Sequence, residues 1–134
     1  MTVDSFAWIE FLAGSEHEAR IRDILAESDV LVTPDLVLAE VARRLARDGI
    51  SQGVVRRKIH EIASLSQVVP IDLEIALGVS EADNELRNRA KTRRQKSPGL
   101  SDAVVLSTAR HLRAKVLTGD PHFEGFPETL WLGP

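Results

Sequence analysis

Four carboxylates, Asp4, Glu40, Asp102 and Asp120, stand where they can do chemistry, although long stretches of chain separate them. Asp4 ends the short apolar start Thr2-Val3, and Asp120 lies two residues past Val116-Leu117-Thr118. Asp102 falls in the first turn of a helix opened by Ser101, and Glu40 lies in the helix that follows Thr33-Pro34. Brought together, carboxylates hold a hard divalent cation such as Mg2+ or Mn2+, which prefers oxygen ligands. Each acid also has a plain structural use. Asp4 can cap the first helix, Asp102 can complement a helix dipole, and Asp120 can serve the turn at Pro121. Glu40 shares a helix face with Arg43, Arg44 and Arg47, away from Val37, Leu38, Val41 and Leu45, so an ordinary i,i+3 or i,i+4 ion pair accounts for it.

The elements that must position these acids alternate along the chain. Short apolar runs predict strands at Thr2–Asp4, Val30–Thr33, Val68–Ile71, Lys115–Thr118 and Thr129–Leu132. Pro34 closes the second, and Pro70 marks the third as an edge strand. Between them lie helical patterns. Ser5 is read as the cap of the first, which Gly14 stops. Ser15 with Glu18 reads as a capping box for a second, running to about Ser28. Further helices span Leu36 to Arg47 and Ser51 to Leu65. Asp72 caps a long one that enters a basic stretch, and Ser101 opens the last after the break Ser97-Pro98-Gly99. This alternation predicts an α/β fold with a mainly parallel sheet. Ligands of such sheets bind beyond the carboxyl ends of the strands, so Asp4 and Asp120 face one crevice if their strands are neighbours. Neither the strand order nor the place of Asp102 follows from the pattern.

The bulk properties narrow the classes. A chain of 134 residues fits a single domain, 1–134, with a real core. The absence of cysteine removes disulfides, thiolate metal sites and cysteine nucleophiles. No leader pattern and no membrane-length apolar run is present, so the expected location is cytoplasmic and away from membranes. The net charge is −3, yet Arg87, Arg89, Lys91, Arg93, Arg94 and Lys96 form a run without an acid. Such a run is either a solvated face or a phosphate-binding track. Arg56-Arg57-Lys58 is a smaller basic group. HExxH, P-loop and GxSxG patterns are missing. His17, His60 and His111 have no metal-spaced partner, and His122 is read as loop packing beside Asp120.

The order of motifs carries more than any one of them. Asp4-Ser5 comes first, then Thr33-Pro34 with Leu36-Val37-Leu38-Ala39-Glu40-Val41. Leu100-Ser101-Asp102-Ala103 with Thr108-Ala109 follows, and Thr118-Gly119-Asp120-Pro121-His122-Phe123 ends the series. Over nearly the whole chain this resembles the PIN domain family, and within it the VapC-type toxins of toxin–antitoxin pairs. The resemblance implies a three-layer α/β/α fold with strand order 3-2-1-4-5. It implies a metal-dependent endoribonuclease whose metal site is built from the acids Asp4, Glu40, Asp102 and Asp120. On that footing Asp4 and Asp102 are direct ligands of Mg2+ or Mn2+, Glu40 acts through a metal-bound water, and Asp120 completes the site or holds a second metal. Ser5 and Thr118 orient carboxylates by hydrogen bonds, although Ser5 serves equally as a helix cap. The basic run 87–96 would hold the backbone of a structured RNA, such as tRNA or rRNA. Expected partners are a VapB-type antitoxin and a second copy of the chain. Two other classes stay open: a non-catalytic PIN-like binding module, and a receiver-like phosphoacceptor domain. The receiver reading is weakened because Asp4 is followed by Ser5 rather than by a second acid.

Overall fold

The structure is a computed structural model that describes residues 1–133. Five short strands form one sheet: β1 (Thr2–Val3), β2 (Val32–Pro34), β3 (Gln67–Val69), β4 (Val116–Thr118) and β5 (Thr129–Trp131). Six helices connect them: α1 (Ser5–Leu12), α2 (Glu18–Glu27), α3 (Asp35–Arg47), α4 (Gln52–Leu65), α5 (Leu73–Thr92) and α6 (Leu100–Leu112). A 3-10 turn, Pro121–Phe123, follows β4. All strand pairs are parallel and the order is β3-β2-β1-β4-β5. The expected α/β class and order are therefore observed.

This order disposes of the receiver-like alternative. A receiver-type sheet runs 2-1-3-4-5, with the third strand inside it. Here β3 is an edge strand, and Asp72 after it is spent capping α5, its Oδ1 accepting from Ile75 N at 2.9 Å.

Connections leaving β1 and β2 step toward β3, whereas the long crossover through α5 and α6 returns to β4 on the far side of β1. Right-handed crossovers place the two sets of helices on opposite faces. The helix contacts agree: α1 packs on α2 and α3, α3 on α4, and α5 on α6. The reversal of direction leaves a crevice beyond the carboxyl ends of β1 and β4, where open parallel sheets bind ligands.

The core is built where the patterns meet. Val3, Val116 and Leu117 are fully buried in the central strands, with Trp8 of α1 and Val37 and Val41 of α3 against them. In α6 every residue from Ala103 to Ala109 is buried, because this helix lies between α5 and the sheet. The two hydroxyls of that buried stretch are satisfied inside the layer. Ser107 Oγ donates to Ile75 O at 2.6 Å, and Thr108 Oγ1 donates to Val104 O at 2.7 Å.

Several predicted boundaries shift. Ser5 is the first residue inside α1, not its cap; Asp4 holds the cap position without a side-chain capping bond. The capping box at Ser15 does not form, because Ser15 Oγ accepts from His17 N inside a turn and α2 starts only at Glu18. The last helix begins at Leu100 after Gly99, not at Ser101. In each case a neighbouring residue takes the terminal backbone geometry, so the cap falls outside the expected Ser. The expected caps at Ser51 and Asp72 are present.

Candidate carboxylate site

Asp4 leaves β1 at the switch point and is 2% exposed. Its partner across the crevice is Thr118, the last residue of β4, the strand paired with β1. Thr118 Oγ1 donates to Asp4 Oδ2 at 2.7 Å and accepts from the backbone N–H of Asp120 at 3.0 Å. One hydroxyl thus fixes both the first carboxylate and the backbone that carries the last. Asp4 Oδ1 is buried and has no hydrogen-bond partner among the described residues. An uncompensated buried carboxylate oxygen is costly, and the acid responds by binding its proton more tightly. Burial pushes the Asp4 pKa up to about 7; the Thr118 hydrogen bond and, more weakly, the Ser5 backbone amide oppose this, and the charges of Asp102 and Asp120 add to it.

Asp102 reaches the same place from a helix start. The start of helix α6 lies at the edge where β4 ends, since Asp102 in its first turn comes close to Asp120 just past β4. Asp102 Oδ2 accepts from Gly99 N at 2.8 Å, which closes the helix start. Burial again raises the pKa, to about 6. The Gly99 bond and His122 oppose the rise, while Asp120 and Glu40 reinforce it.

Asp120 and His122 form the third part. Pro121 fixes the backbone of a tight turn, and Asp120 Oδ1 accepts from His122 N at 3.0 Å. The ring of His122 folds back so that Nδ1 lies 3.0 Å from the same oxygen, while Nε2 lies 2.8 Å from Lys96 O. Both ring nitrogens face acceptors, which is the arrangement of an imidazolium. Burial lowers its pKa, but the Lys96 carbonyl and the charges of Asp120 and Asp102 outweigh burial and hold it above the ordinary value. One ligand atom each from Asp102, Asp120 and His122 lie within 4.8 Å of one another. With both nitrogens engaged, His122 donates to Asp120 and has no free lone pair for a cation. The loop-packing expectation missed this, although the Asp-Pro-His spacing is a readable turn signal.

Glu40 takes neither of its expected arginine partners. Ser101 donates to Glu40 Oε1, and the ion-pair reading is overturned: among the described residues Glu40 makes no ion pair, while Arg44 Nε pairs with Asp48 Oδ2 at 3.2 Å. Helix α3 packs on the start of α6, and that contact turns Glu40 toward the site. Gly119 completes the frame. A Cβ there would run into the Phe6 ring, so only glycine lets α1 close against the end of β4.

All donors in this cluster are carboxylates, one of them buried with an orphaned oxygen. Such a set fits a hard divalent cation, which would supply the missing partner.

A groove of about 360 Å³ opens from the site, lined by Ser5, Phe6, Glu40, Arg43, Arg47 and Asp120 among others. Ser5 therefore faces the groove rather than capping a helix. The basic run is divided in its use. Arg87 Nε pairs with Asp83 at 2.8 Å, Arg93 pairs with Glu124 at 2.7 Å, and Arg89 lies over the Phe126 ring at 4.8 Å. Lys91, Arg94 and Lys96 are exposed and make no ion pair among the described residues. The end of the run also braces the Asp120 loop: besides Lys96 O on His122, Gln95 Nε2 donates to Pro121 O at 3.3 Å.

Known proteins show the same arrangement of chain. The family model described as PIN domain matches residues 1–128. No curated protein matches. Among solved structures, a toxin-antitoxin complex from Klebsiella pneumoniae is similar with a TM-score of 0.70 and 19% identity, over 98% of this chain and 96% of that one. VapBC2 from Rickettsia felis, bound to a DNA fragment from its promoter, gives 0.69 and 15%, over 97% and 95%. VapC20 from Mycobacterium tuberculosis, a toxin that cleaves the sarcin-ricin loop, gives 0.68 and 18%, over 91% of each chain. At these identities the likeness carries the fold alone.

Proposed function

This chain belongs to the PIN domain family, and on that premise we propose that it is a metal-dependent endoribonuclease, the toxin of a toxin–antitoxin pair. The observation that carries this reading is the buried Asp4 with its orphaned Oδ1, raised toward pH 7 by burial and by the neighbouring charges of Asp102 and Asp120. A purely structural cluster would be expected to close such a group with a hydrogen bond.

Asp4, Asp102 and Asp120 would hold Mg2+ or Mn2+, with Glu40 acting through water. When bound, such an ion neutralises charge on the phosphate and acidifies water at neutral pH. The protein's own part is positioning. Thr118 holds Asp4 and the Asp120 backbone, His122 holds the Asp120 side chain, and Ser101 holds Glu40 where it can take a proton from an attacking water. Asp102 is held by Gly99 N and so keeps one oxygen for the cation. Four acids in one place repel one another without the ion, so metal stabilises the fold by mass action.

Structured RNA is the proposed substrate, tRNA and rRNA among the choices, and one similar protein cleaves the sarcin-ricin loop. The exposed Lys91, Arg94 and Lys96 are available to meet it. An antitoxin partner is supported by similar chains that occur in toxin-antitoxin complexes. A second copy of the chain is a further proposed partner. Among the described residues no helix is long and apolar enough to cross a membrane.

The deciding assay is cleavage of RNA with and without Mg2+ or Mn2+. Wild type should cut only with metal, and Asp102→Asn should be inactive while keeping its fold. Cleavage that survives that substitution sinks the mechanism in favour of a non-catalytic binding module with a contaminating nuclease.

A further inference from the structure

We propose that Arg43 and Arg47 of α3 form the principal phosphate track of this protein, leading RNA away from the carboxylate site. This rests on the ribonuclease reading and deepens it. Glu40, Arg43, Arg44 and Arg47 recur at i, i+3, i+4 and i+7, so they share one face of α3. With a rise of 1.5 Å per residue, Arg43 and Arg44 stand about 5 Å along the axis from Glu40, and Arg47 about 10 Å. The face therefore begins at a site acid and becomes cationic within a turn.

The groove follows that face. Its lining joins Glu40 and Asp120 to the three arginines Arg43, Arg44 and Arg47. A second groove of about 320 Å³, between α3 and the start of α6, is also lined by Glu40 and Arg43. Arg43 thus stands at both exits from the acids. Arg43 and Arg47 are exposed and pair with no acid among the described residues, whereas Arg44 is partly neutralised by Asp48. Glu10, also at the groove, is engaged by His17 at 3.1 Å. An exposed guanidinium without a carboxylate is free to make forked bonds to phosphate oxygens.

The run 87–96 is differently placed. Three of its six cations are committed to Asp83, Glu124 and the Phe126 ring. Its backbone end braces the Asp120 loop. Density of charge in sequence does not equal charge available to a ligand.

The experiment uses a fluorescein-labelled RNA hairpin and the full chain in Mn2+, with Asp102→Asn as the common background for binding and the Asp102 protein for cleavage. Fluorescence anisotropy is read against salt. Arg43→Ala with Arg47→Ala should weaken binding on the order of tenfold and lower the salt slope by about 1.4 if the two lost phosphate contacts are in the loop and by about 1.8 if they are in the stem. Arg43→Lys with Arg47→Lys should recover most of the slope, which a folding defect would not allow. Lys91→Ala with Arg94→Ala and Lys96→Ala should change affinity only about two- to threefold. Hairpin cleaved and bound equally well without the two arginines overturns the track and leaves the ribonuclease reading intact. A larger loss from the 91–96 triple overturns it in favour of the run. Unchanged RNA affinity with loss of a protein partner assigns the arginines to that partner and overturns it too. A wild type that neither binds nor cleaves the hairpin overturns both readings.

Discussion

Two threonines stand on the strands that flank β1 on either side and do opposite things. Thr33 of β2 accepts from Trp8 Nε1 at 3.1 Å and lies 2.7 Å from Ser66 Oγ. Ser66 gives its own proton to Ile62 O at 2.8 Å, so Thr33 is the donor between them and the chain of bonds closes. Thr118 of β4 joins Asp4 to the Asp120 backbone with equal economy, yet leaves Asp4 Oδ1 bare and buried. The first network is neutral and satisfied, and it ties α1 and α4 to the sheet. The second is anionic and open. Buried polarity that closes on itself supports the fold, whereas an orphaned charge marks a place that needs a ligand.

The largest separation between the two networks should come from Asp4→Asn. Cleavage activity should fall on the order of 10³-fold, because the substitution removes charge that would bind and polarise with the ion. The variant should fold, and Mn2+ should shift its melting temperature less than that of wild type. Full activity in Asp4→Asn would make Asp4 as structural as Thr33.

The two threonines can then be exchanged for valine. Thr33→Val strands the Trp8 indole N–H and should lower stability by about 1–3 kcal/mol in urea unfolding, with kcat unchanged. Thr118→Val should lower activity about 10- to 100-fold, as losing a hydrogen bond to a metal-holding carboxylate does, in addition to any stability loss. If both variants lose stability alone, the contrast between them disappears.

Acidity provides a third test. Asp4 and Asp102 bind protons more tightly folded than unfolded, with folded values of about 7 and about 6 against an ordinary 3.8. Between those limits the native state holds more protons than the unfolded state, so stability falls as pH rises. The stabilisation is present below about pH 4 and is lost as pH passes through 6 and 7. Metal-free protein should therefore melt lower at pH 7.5 than at pH 5 by several degrees, and Asp4→Asn should flatten that slope. The shift produced by Mn2+ should grow with pH, since ions and protons compete for the same oxygens. A Thr33→Val protein should keep the wild-type slope.

The smallest expected effect belongs to Ser101. Ser101→Ala should reduce kcat about tenfold with KM and stability nearly unchanged, and Ser101→Thr should restore it. An unchanged kcat would return Glu40 to the role of a groove-lining acid.

The site was unevenly legible. Asp4 and Asp120 follow strand ends, and a parallel sheet gathers such ends at one edge. The place of Asp102 does not follow from the pattern, because it depends on the loop that brings the start of α6 to the end of β4. Spacing alone makes Glu40 an arginine partner, and only the resemblance makes it a site acid, since spacing on one helix says nothing about the helix packed across from it. The basic run shows the same limit: Asp83 is close to Arg87 in sequence, but Glu124 and Phe126 reach Arg93 and Arg89 only through the fold.

By itself the order of residues determined the alternation of strand and helix, the parallel sheet, the absence of thiol chemistry and the acids at two strand ends. Periodicity, caps and composition act over a few residues, so they can be read along the chain. The tertiary structure alone decided that Thr118 reaches Asp4 across 114 positions and that Ser101 reaches Glu40 across 61. Those pairings are chosen by burial of apolar faces between distant elements, and no local pattern encodes which distant face will be met.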